Sequence, residues 1–427
     1  MKGSVAIVGS GVIGTVTAIE LNRIGYDVTL IDREEPGSSE AASSGNGGWL
    51  CPASIIPVSV PSLIWRLPSF LFGKSAPLSG NVGFAIRNAG HFARFVNSGL
   101  THNRVRNKAT ALSSLLSDTM ARHQALAKEA GLQHLIRGDG LLYTYSSERA
   151  FRRDLCWGNL RRDLGVNWTF LDGRTLRTEE LGIERACFGA VLVTNAGHCI
   201  DPAGYVRGLA DHARRRGTNF IKADVTRLIH SGQRLAGFET SKGMFAFDAA
   251  VICSGAHSRP LAQEIGDDPP LLGERGYHVT LRDGQRLRRP VMFDDALMVA
   301  TPIVDGTRLA GQVEIATPGS PPDWSRAQAL LDLAGGYLGG LPANIRQSGV
   351  SVWMGRRPAI ADELPVIGRA TNVENVHFAF GHGFTGLGAA PATAELVRHS
   401  LQSGRATSPK DAPFSPQRFP VRTSRAL

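Results

Sequence analysis

Cysteine is scarce in this chain. Its 427 residues include five cysteines, scattered between positions 51 and 253, and no Cys-x-x-Cys motif. An odd and scattered set argues against a disulfide framework or a zinc site, so we expect no metal centre and a reducing compartment. The first apolar run, residues 5–8, is too short for a signal peptide, which favours a cytoplasmic protein.

A long uninterrupted hydrophobic run is also missing. The most apolar stretch, residues 49–72, contains four prolines and the charged Arg66. Prolines and a charge at this density exclude a membrane-spanning helix. We expect a buried or lid segment here. Peripheral contact with the inner face of a membrane is the alternative.

The chain has no basic run interleaved with aromatic residues, although its formal net charge is +10. Its clearest basic cluster, residues 214–216, ends a helix predicted to begin after Asp201, where cations complement the helix dipole. We therefore expect no nucleic-acid partner. A basic surface is compatible with anionic substrates.

What the chain does contain is a strand, a glycine-rich turn and a helix at its start. Gly9 permits a tight turn, Gly11 lets the backbone approach a pyrophosphate, and Gly14 allows close packing of helix on strand. The helix N-terminus offers free N–H groups to the phosphates. The residues expected to line this turn are Gly9, Gly11, Val12, Ile13 and Gly14.

An acidic residue ends the second predicted strand, residues 27–31. The Asp32 carboxylate would accept hydrogen bonds from ribose hydroxyls and would repel a 2′-phosphate. NADP is therefore disfavoured, whereas FAD and NAD both remain at this point.

The chain is long enough for about two domains. Residues 249–253 form a continuous apolar run, which is typical of a central parallel strand. Residues 276–315 alternate as antiparallel strands with Asp-Gly turns at 283–284 and 305–306. A second glycine-rich strand-to-helix turn follows at residues 381–388. No second nucleotide loop for NADPH is present, which argues against a monooxygenase.

Motifs along nearly the whole chain resemble the D-amino-acid-oxidase-like flavoproteins, above all the bacterial D-amino acid dehydrogenases. Besides the N-terminal motif they are SSGNGG, ADVTRL, VICSGAHS, ERGYHVTL, RPVMFDD, LAGQVE, WMGRRP, LPVIGR, FAFGHGFTGLG and FSPQRF. The resemblance implies an α/β protein: a Rossmann-like FAD-binding domain of the glutathione-reductase type, interrupted by a substrate domain with a mostly antiparallel sheet and helices. We assign residues 1–60, 190–268 and 348–427 to the first domain and residues 61–189 and 269–347 to the second.

The resemblance also implies non-covalent FAD, since the last cysteine, Cys253, falls within a predicted strand. Further FAD-binding positions come from the matched motifs. They are Arg33, Ser44, Asn46, Gly47, Val225, Ser254, Gly255, Gly381, Gly383, Gly386 and Leu387.

Three residues are predicted to act at the substrate. In the family, the arginine before proline in Gly-x-Arg-Pro pairs with the substrate carboxylate, and that position is Arg357. A guanidinium suits this role because it is a rigid, two-pronged donor that stays charged. Tyr277 is expected to donate to the carboxylate or to wall the pocket. His382 is expected beside the flavin, where it could tune the ring.

The implied reaction oxidises the α-carbon–nitrogen bond of a D-amino acid by hydride transfer to flavin N5. The imine then hydrolyses to a 2-oxo acid and ammonia, and a quinone-type carrier or O₂ takes the electrons. Oxidation of a cyclic or secondary amino acid, such as D-proline, hydroxyproline or sarcosine, is the alternative. A non-catalytic flavin subunit of a hetero-oligomer is another, and a homo-oligomer also stays open. The loop GNGGWLCPASIIP departs from the family pattern, which leaves the substrate undetermined.

Overall fold

The computed structural model describes residues 2–64, 82–282, 287–403 and 411–419. Several predicted features lie outside these residues: the last part of the apolar stretch 49–72, the turn at 283–284, and most of the tail after residue 404.

The described part of the chain contains both helices and strands. The helices are α1 (Val12–Arg23), α2 (Val82–Arg87), α3 (Ala89–Ser98), α4 (His102–Leu116), α5 (Thr119–Ala130), α6 (Glu148–Asp163), α7 (Gly173–Glu179), α8 (Pro202–Arg215), α9 (Ser258–Glu264), α10 (Ser325–Ala334) and α11 (Gly386–Ser403). The strands are β1 (Ser4–Val8), β2 (Asp27–Asp32), β3 (Trp49–Leu50), β4 (Ile136–Arg137), β5 (Leu141–Tyr145), β6 (Trp168–Asp172), β7 (Gly189–Val193), β8 (Gly197–Cys199), β9 (Asn219–Lys222), β10 (Val225–Ser231), β11 (Arg234–Thr240), β12 (Gly243–Ala246), β13 (Ala249–Ile252), β14 (Leu271–Leu281), β15 (Val291–Phe293), β16 (Met298–Ile303), β17 (Gly306–Glu314), β18 (Val350–Ile360), β19 (Val366–Arg369) and β20 (Val376–Phe380).

A six-stranded sheet brings the two glycine-rich turns together. Its order is β19-β20-β13-β1-β2-β9, and all its neighbours are parallel except β19 and β20. All four residues of β13 are buried because β1 and β20 flank it and apolar clusters cover both faces. The apolar run therefore predicted this strand correctly. Helices α1 and α11 pack together on one face.

An eight-stranded, mostly antiparallel sheet forms the second layer, in the order β18-β14-β17-β16-β15-β5-β7-β6. Helix α10 packs against β14 and β17. The mixed α/β architecture is confirmed. The predicted boundary at residue 348 does not follow the sheets, since β18 pairs with β14 over its whole length and so belongs to the antiparallel layer. The boundary at residue 190 similarly cuts β7.

Two predicted elements are each divided. The strand expected from residue 219 onward splits into β9 and β10, because Ala223 N–H donates to the Asp32 carbonyl and the chain then leaves the parallel sheet. The helix expected over residues 107–129 breaks between α4 and α5. There the Thr119 hydroxyl donates to the Gly388 carbonyl of α11, a tertiary contact that local periodicity does not reveal. Among the described residues, no helix has the length and apolarity needed to cross a membrane.

Candidate cofactor and substrate site

The N-terminal turn requires glycine at two of its three motif positions. Gly9 has a φ of 109°, and a Cβ there would lie 2.5 Å from the Cys253 carbonyl oxygen. A Cβ at Gly14 would overlap the Gly9 carbonyl, so α1 packs directly on the turn. Val12 N–H, at the start of α1, donates to Ser43 Oγ at 3.0 Å. Sequence reasoning missed Ser43, which also covers Gly11.

The carboxyl ends of three neighbouring strands share an open edge. Gly11 follows β1, Gly255 follows β13 and Gly383 follows β20. Nothing lies within 4 Å of a Cβ built on Gly255 or Gly383, and on Gly11 only Ser43 Oγ does, at 3.3 Å. A crevice outside the carboxyl ends of parallel strands is where open α/β sheets bind dinucleotides. The residues present therefore fit a dinucleotide.

Asp32 lies at the end of β2 with its carboxylate held toward the turn. Its Oδ2 accepts from Ser10 N–H at 2.6 Å and from Ser10 Oγ at 3.0 Å, and Oδ1 accepts from Glu34 N–H at 3.1 Å. The neighbouring Arg33 contacts His257 Nε2 at 3.1 Å, in the 3₁₀ turn that contains Gly255. Ser254 precedes that turn, and its hydroxyl lies 3.2 Å from Ser258 Oγ. Val225 begins β10, in a separate three-stranded sheet.

The loop after Ser43 is shaped by its own side chains. Ser44 Oγ donates to the Ser38 carbonyl at 2.7 Å, and Asn46 Oδ1 accepts from Gly48 N–H at 2.8 Å. Arg308 Nη1 donates to the Asn46 carbonyl at 2.6 Å, and burial lowers the pKa of this arginine to about 10. The Ser44 and Asn46 side chains thus hold the loop in shape through hydrogen bonds to its backbone. A Cβ built on Gly47 would make only ordinary van der Waals contacts. Arg308 was another residue that sequence reasoning missed.

The C-terminal turn is fixed to β18. Gly381 and Gly383 have φ angles of 85° and 55°, and Gly383 N–H donates to the Pro358 carbonyl at 2.9 Å. This N–H is therefore engaged within the protein. Gly386 begins α11, and the buried Leu387 offers its carbonyl to His123 Nε2.

His382 is buried beneath α11. Its Nε2 lies 2.9 Å from Thr393 Oγ1, and burial lowers the pKa of the imidazole to about 3. A neutral ring bonded to a helix threonine joins the turn to α11. The prediction of a catalytic His382 is thus not supported by its placement, although its backbone stays at the crevice.

Strands β14 and β18 expose one face to the loop around Gly45. Three neighbouring cross-strand pairs of this face, which we call the loop-side face, are Glu274 opposite Arg357, Gly276 opposite Gly355, and His278 opposite Trp353. Residues directly opposite in an antiparallel pair point the same way. The middle pair is glycine on both strands, so these two positions have no side chain of their own and leave room for the side chains of their neighbours.

The neighbours on this face lean over its bare centre. A Cβ at Gly276 would overlap the Arg357 guanidinium, and one at Gly355 would overlap the Trp353 ring. The Trp353 ring also lies against Gly45 and stacks on His278, with ring centroids 4.9 Å apart. The floor thus carries a guanidinium at one end and an aromatic pair at the other.

Arg357 is half-buried, and its Nη1 donates to the Gln312 carbonyl at 3.3 Å. Gln312 lies at a positive φ of 55°, beside the register shift between β14 and β17, and this bulge presents its carbonyl to the guanidinium. Burial lowers the pKa of Arg357, and the opposing Glu274 partly offsets that effect. The arginine stays charged in this setting.

Tyr277 lies on the other face of β14, the helix-side face against α10. Its hydroxyl donates to Glu314 and accepts from Asp323 N–H at 2.9 Å. Arg275 joins the same buried group through an ion pair to Glu314 at 3.2 Å. The prediction that Tyr277 meets the substrate beside Arg357 is therefore corrected, because alternation along the strands turns the two side chains to opposite sides of the sheet.

A parallel sheet with this glycine-lined crevice, joined to an antiparallel sheet with a guanidinium on a bare floor, defines a dinucleotide-dependent oxidoreductase fold. The family model described as "FAD dependent oxidoreductase" (DAO) matches residues 4–399. The chain belongs to this DAO family, and its cofactor is FAD.

Three similar proteins illustrate the match. A D-amino-acid oxidase of Bradyrhizobium diazoefficiens is 40% identical over 417 residues, covering 97% of this chain and 98% of the relative. A D-amino acid dehydrogenase of Cereibacter sphaeroides is 28% identical over 444 residues, covering 99% and 97%. The crystal structure of glycine oxidase from Geobacillus kaustophilus superposes with a TM-score of 0.74 at 22% identity, covering 98% and 99%.

Proposed function

We propose that this enzyme oxidises the α-carbon–nitrogen bond of a D-amino acid and yields an imine, which water converts to a 2-oxo acid and ammonia. Two kinds of relative support the substrate class by their names, a D-amino-acid oxidase at 40% identity and D-amino acid dehydrogenases at 28%. When bound at the crevice, FAD would supply the acceptor for a hydride from the α-carbon.

One observation carries the proposal: the Arg357 guanidinium lies over Gly276, in the space that the glycine pair Gly276–Gly355 leaves open. A carboxylate above this floor would meet a planar donor, and charge-assisted pairs of this kind are strong and directional. Because Gly383 N–H donates to Pro358, the end of β18 lies beside the crevice assigned to the dinucleotide. Arg357 would therefore hold the substrate carboxylate while the α-carbon faces the cofactor, so that orientation supplies much of the catalysis.

The other residues of the loop-side face would surround the substrate side chain. Trp353 Nε1 donates to the Ser39 carbonyl at 2.7 Å, which fixes the ring across Gly45. Burial, and next the nearby Arg308, lower the pKa of His278 to about 3, so its ring is neutral. Together they form an apolar wall that would exclude water from the α-carbon.

FAD would be held without a covalent bond. Cys253 is buried at the end of β13, where burial raises the pKa of its thiol, and its backbone is packed against Gly9. A protonated thiol in that position is a poor nucleophile.

Two electron acceptors, O₂ and a quinone-type carrier, are compatible with this reaction. The relative at 40% identity is named an oxidase, which favours O₂, while those at 28% are named dehydrogenases, which favours a quinone-type carrier. Both belong in the test.

The test is anaerobic mixing of the purified flavoprotein with D-, L-, N-alkyl and cyclic amino acids. We expect D-amino acids to bleach the oxidised-flavin absorption band and to leave a 2-oxo acid. O₂ or a soluble quinone is then added to the reduced enzyme, and the faster reoxidant identifies the acceptor. A flavin that stays oxidised with every compound would overturn the proposal and favour a non-catalytic subunit.

A further inference from the structure

The three central pairs of the loop-side face contain one carboxylate, that of Glu274. Among the residues that the structure describes, no donor lies within hydrogen-bond distance of the Glu274 carboxylate, although the side chain is half-buried. Other acids near these strands are engaged: Glu314 accepts from Arg275 and Tyr277, and Glu363 pairs with Lys108 at 2.7 Å. Because the side chain is only half-buried, this carboxylate is accessible to a ligand that supplies an N–H donor.

The position of Glu274 is set by the register of the two strands. It lies directly opposite Arg357, on the same face and beside the bare Gly276–Gly355 pair. Side chains in such a pair start about 5 Å apart at their Cβ atoms. An acid and a base that share a floor at this spacing complement an α-amino acid, whose carboxylate and amino group are attached to one carbon.

We propose that Glu274 binds the amino group of the substrate while Arg357 binds its carboxylate. This inference rests on the proposed function and deepens it, since it names the residue that distinguishes amino acids from other carboxylic acids. With both groups held, the α-hydrogen and the side chain are the two remaining substituents, so the configuration of the α-carbon decides which of them turns toward the cofactor.

The electrostatic setting of Glu274 agrees with this role. Burial is the main cause that raises the pKa of its carboxyl to about 7, while Arg357 lowers it and Glu363 raises it. A carboxyl so little stabilised by the protein gains from an N–H donor supplied by a ligand. A role solely as the counter-ion of Arg357 would place the two groups in a hydrogen-bonded pair, whereas Arg357 donates to the Gln312 carbonyl.

The test compares two ligands that differ only in an amino group, isobutyrate and α-aminoisobutyrate. Neither undergoes α-carbon oxidation to an imine here, because the first has no nitrogen and the second no α-hydrogen, so both report binding alone. Dissociation constants are measured from the change in the flavin spectrum of the FAD-saturated enzyme. The variants are Glu274→Gln, which keeps the shape of the side chain, and Arg357→Lys.

We expect the wild-type enzyme to prefer α-aminoisobutyrate and Glu274→Gln to lose about tenfold or more of that preference, as befits one charge-assisted hydrogen bond. Isobutyrate should bind Glu274→Gln as well as it binds the wild type, and Arg357→Lys should weaken both ligands. An unchanged preference in Glu274→Gln, or an equal loss for both ligands, would overturn the inference. Failure of the proposed function is seen separately, as wild-type flavin that no amino acid reduces.

Discussion

The two faces of the paired strands β14 and β18 treat charge in opposite ways. On the helix-side face, Arg275 and Tyr277 both bond to Glu314, and Arg275 also donates to the Pro321 carbonyl at 2.9 Å. On the loop-side face, Arg357 has one carbonyl partner and Glu274 has none among the described residues. Under the proposed function, adjacent residues of one strand would serve folding and ligand binding respectively.

Residue type alone therefore does not show whether a charged side chain supports the fold or is available to a ligand. Arginine and acid occur on both faces, and both arginines lie in the antiparallel sheet. What separates the faces is the count of internal partners and the presence of the Gly276–Gly355 floor. Each variant below changes a residue on one face, and the measurement shows whether stability or ligand affinity is affected.

The largest effect on stability is expected from Arg275→Leu. It would leave Glu314 buried without its cation, and breaking a buried pair from one side costs about 3–5 kcal/mol. Urea unfolding of the FAD-saturated protein measures this loss. Arg282→Leu, at the end of the same strand, is the control and should cost much less. A stability equal to wild type would show that the helix-side group is not structural.

The next effect is on ligand affinity. Arg357→Ala should weaken the binding of carboxylate ligands by about 2–3 kcal/mol, the contribution of a hydrogen bond to a charged group, while FAD stays bound. Ligand titration of the flavin spectrum measures it. Arg356→Ala is the matched control, since Arg356 pairs with Arg275 in the register and points away from Arg357. Equal losses in the two variants would contradict the assigned carboxylate site.

A smaller effect is expected from Gly276→Ala. The new methyl group would overlap the Arg357 guanidinium and displace it from the floor. We expect about a tenfold loss in affinity for carboxylates, equivalent to about 1.4 kcal/mol. Gly90→Ala, in α3, where the glycine has no positive φ and nothing lies within 4 Å of its Cβ, controls for general loss of glycine. Unchanged affinity in Gly276→Ala would mean that the bare floor has no role.

The smallest effect separates the two predicted substrate contacts. Tyr277→Phe removes the hydroxyl that bonds Glu314 and Asp323, and should cost about 0.5–1.5 kcal/mol of unfolding free energy. Its KM and its limiting rate of flavin reduction should match those of the wild type. A variant with normal stability but a raised KM would restore Tyr277 to the substrate site.

Local patterns predicted the cofactor half of the molecule well. The strand at residues 5–8, the glycine turn after it and the apolar run of β13 each carry their signal within a few residues, and the FAD cofactor is confirmed. The individual FAD-binding residues stay predictions. Ser43 and Arg308 escaped notice because their contacts join positions 31 and 264 residues apart, which no local pattern encodes.

The substrate half was harder to predict because it depends on register. Arg357 and Tyr277 come from different strands, and only the pairing of Glu274 with Arg357 fixes which side chains share a face. A shift of one residue would have placed Tyr277 on the loop-side face. Glu274, three residues before Tyr277 in the chain, was not identified for the same reason, because the strand register could not be deduced from the sequence.

The most direct test of the central claim is a crystal structure of the FAD-bound enzyme with α-aminoisobutyrate. We expect the ligand beside the Gly276–Gly355 pair, with its carboxylate bonded to Arg357 and its amino group to Glu274. A ligand bound elsewhere, or one held beside this pair with Arg357 still bonded only to the Gln312 carbonyl, would contradict the central claim.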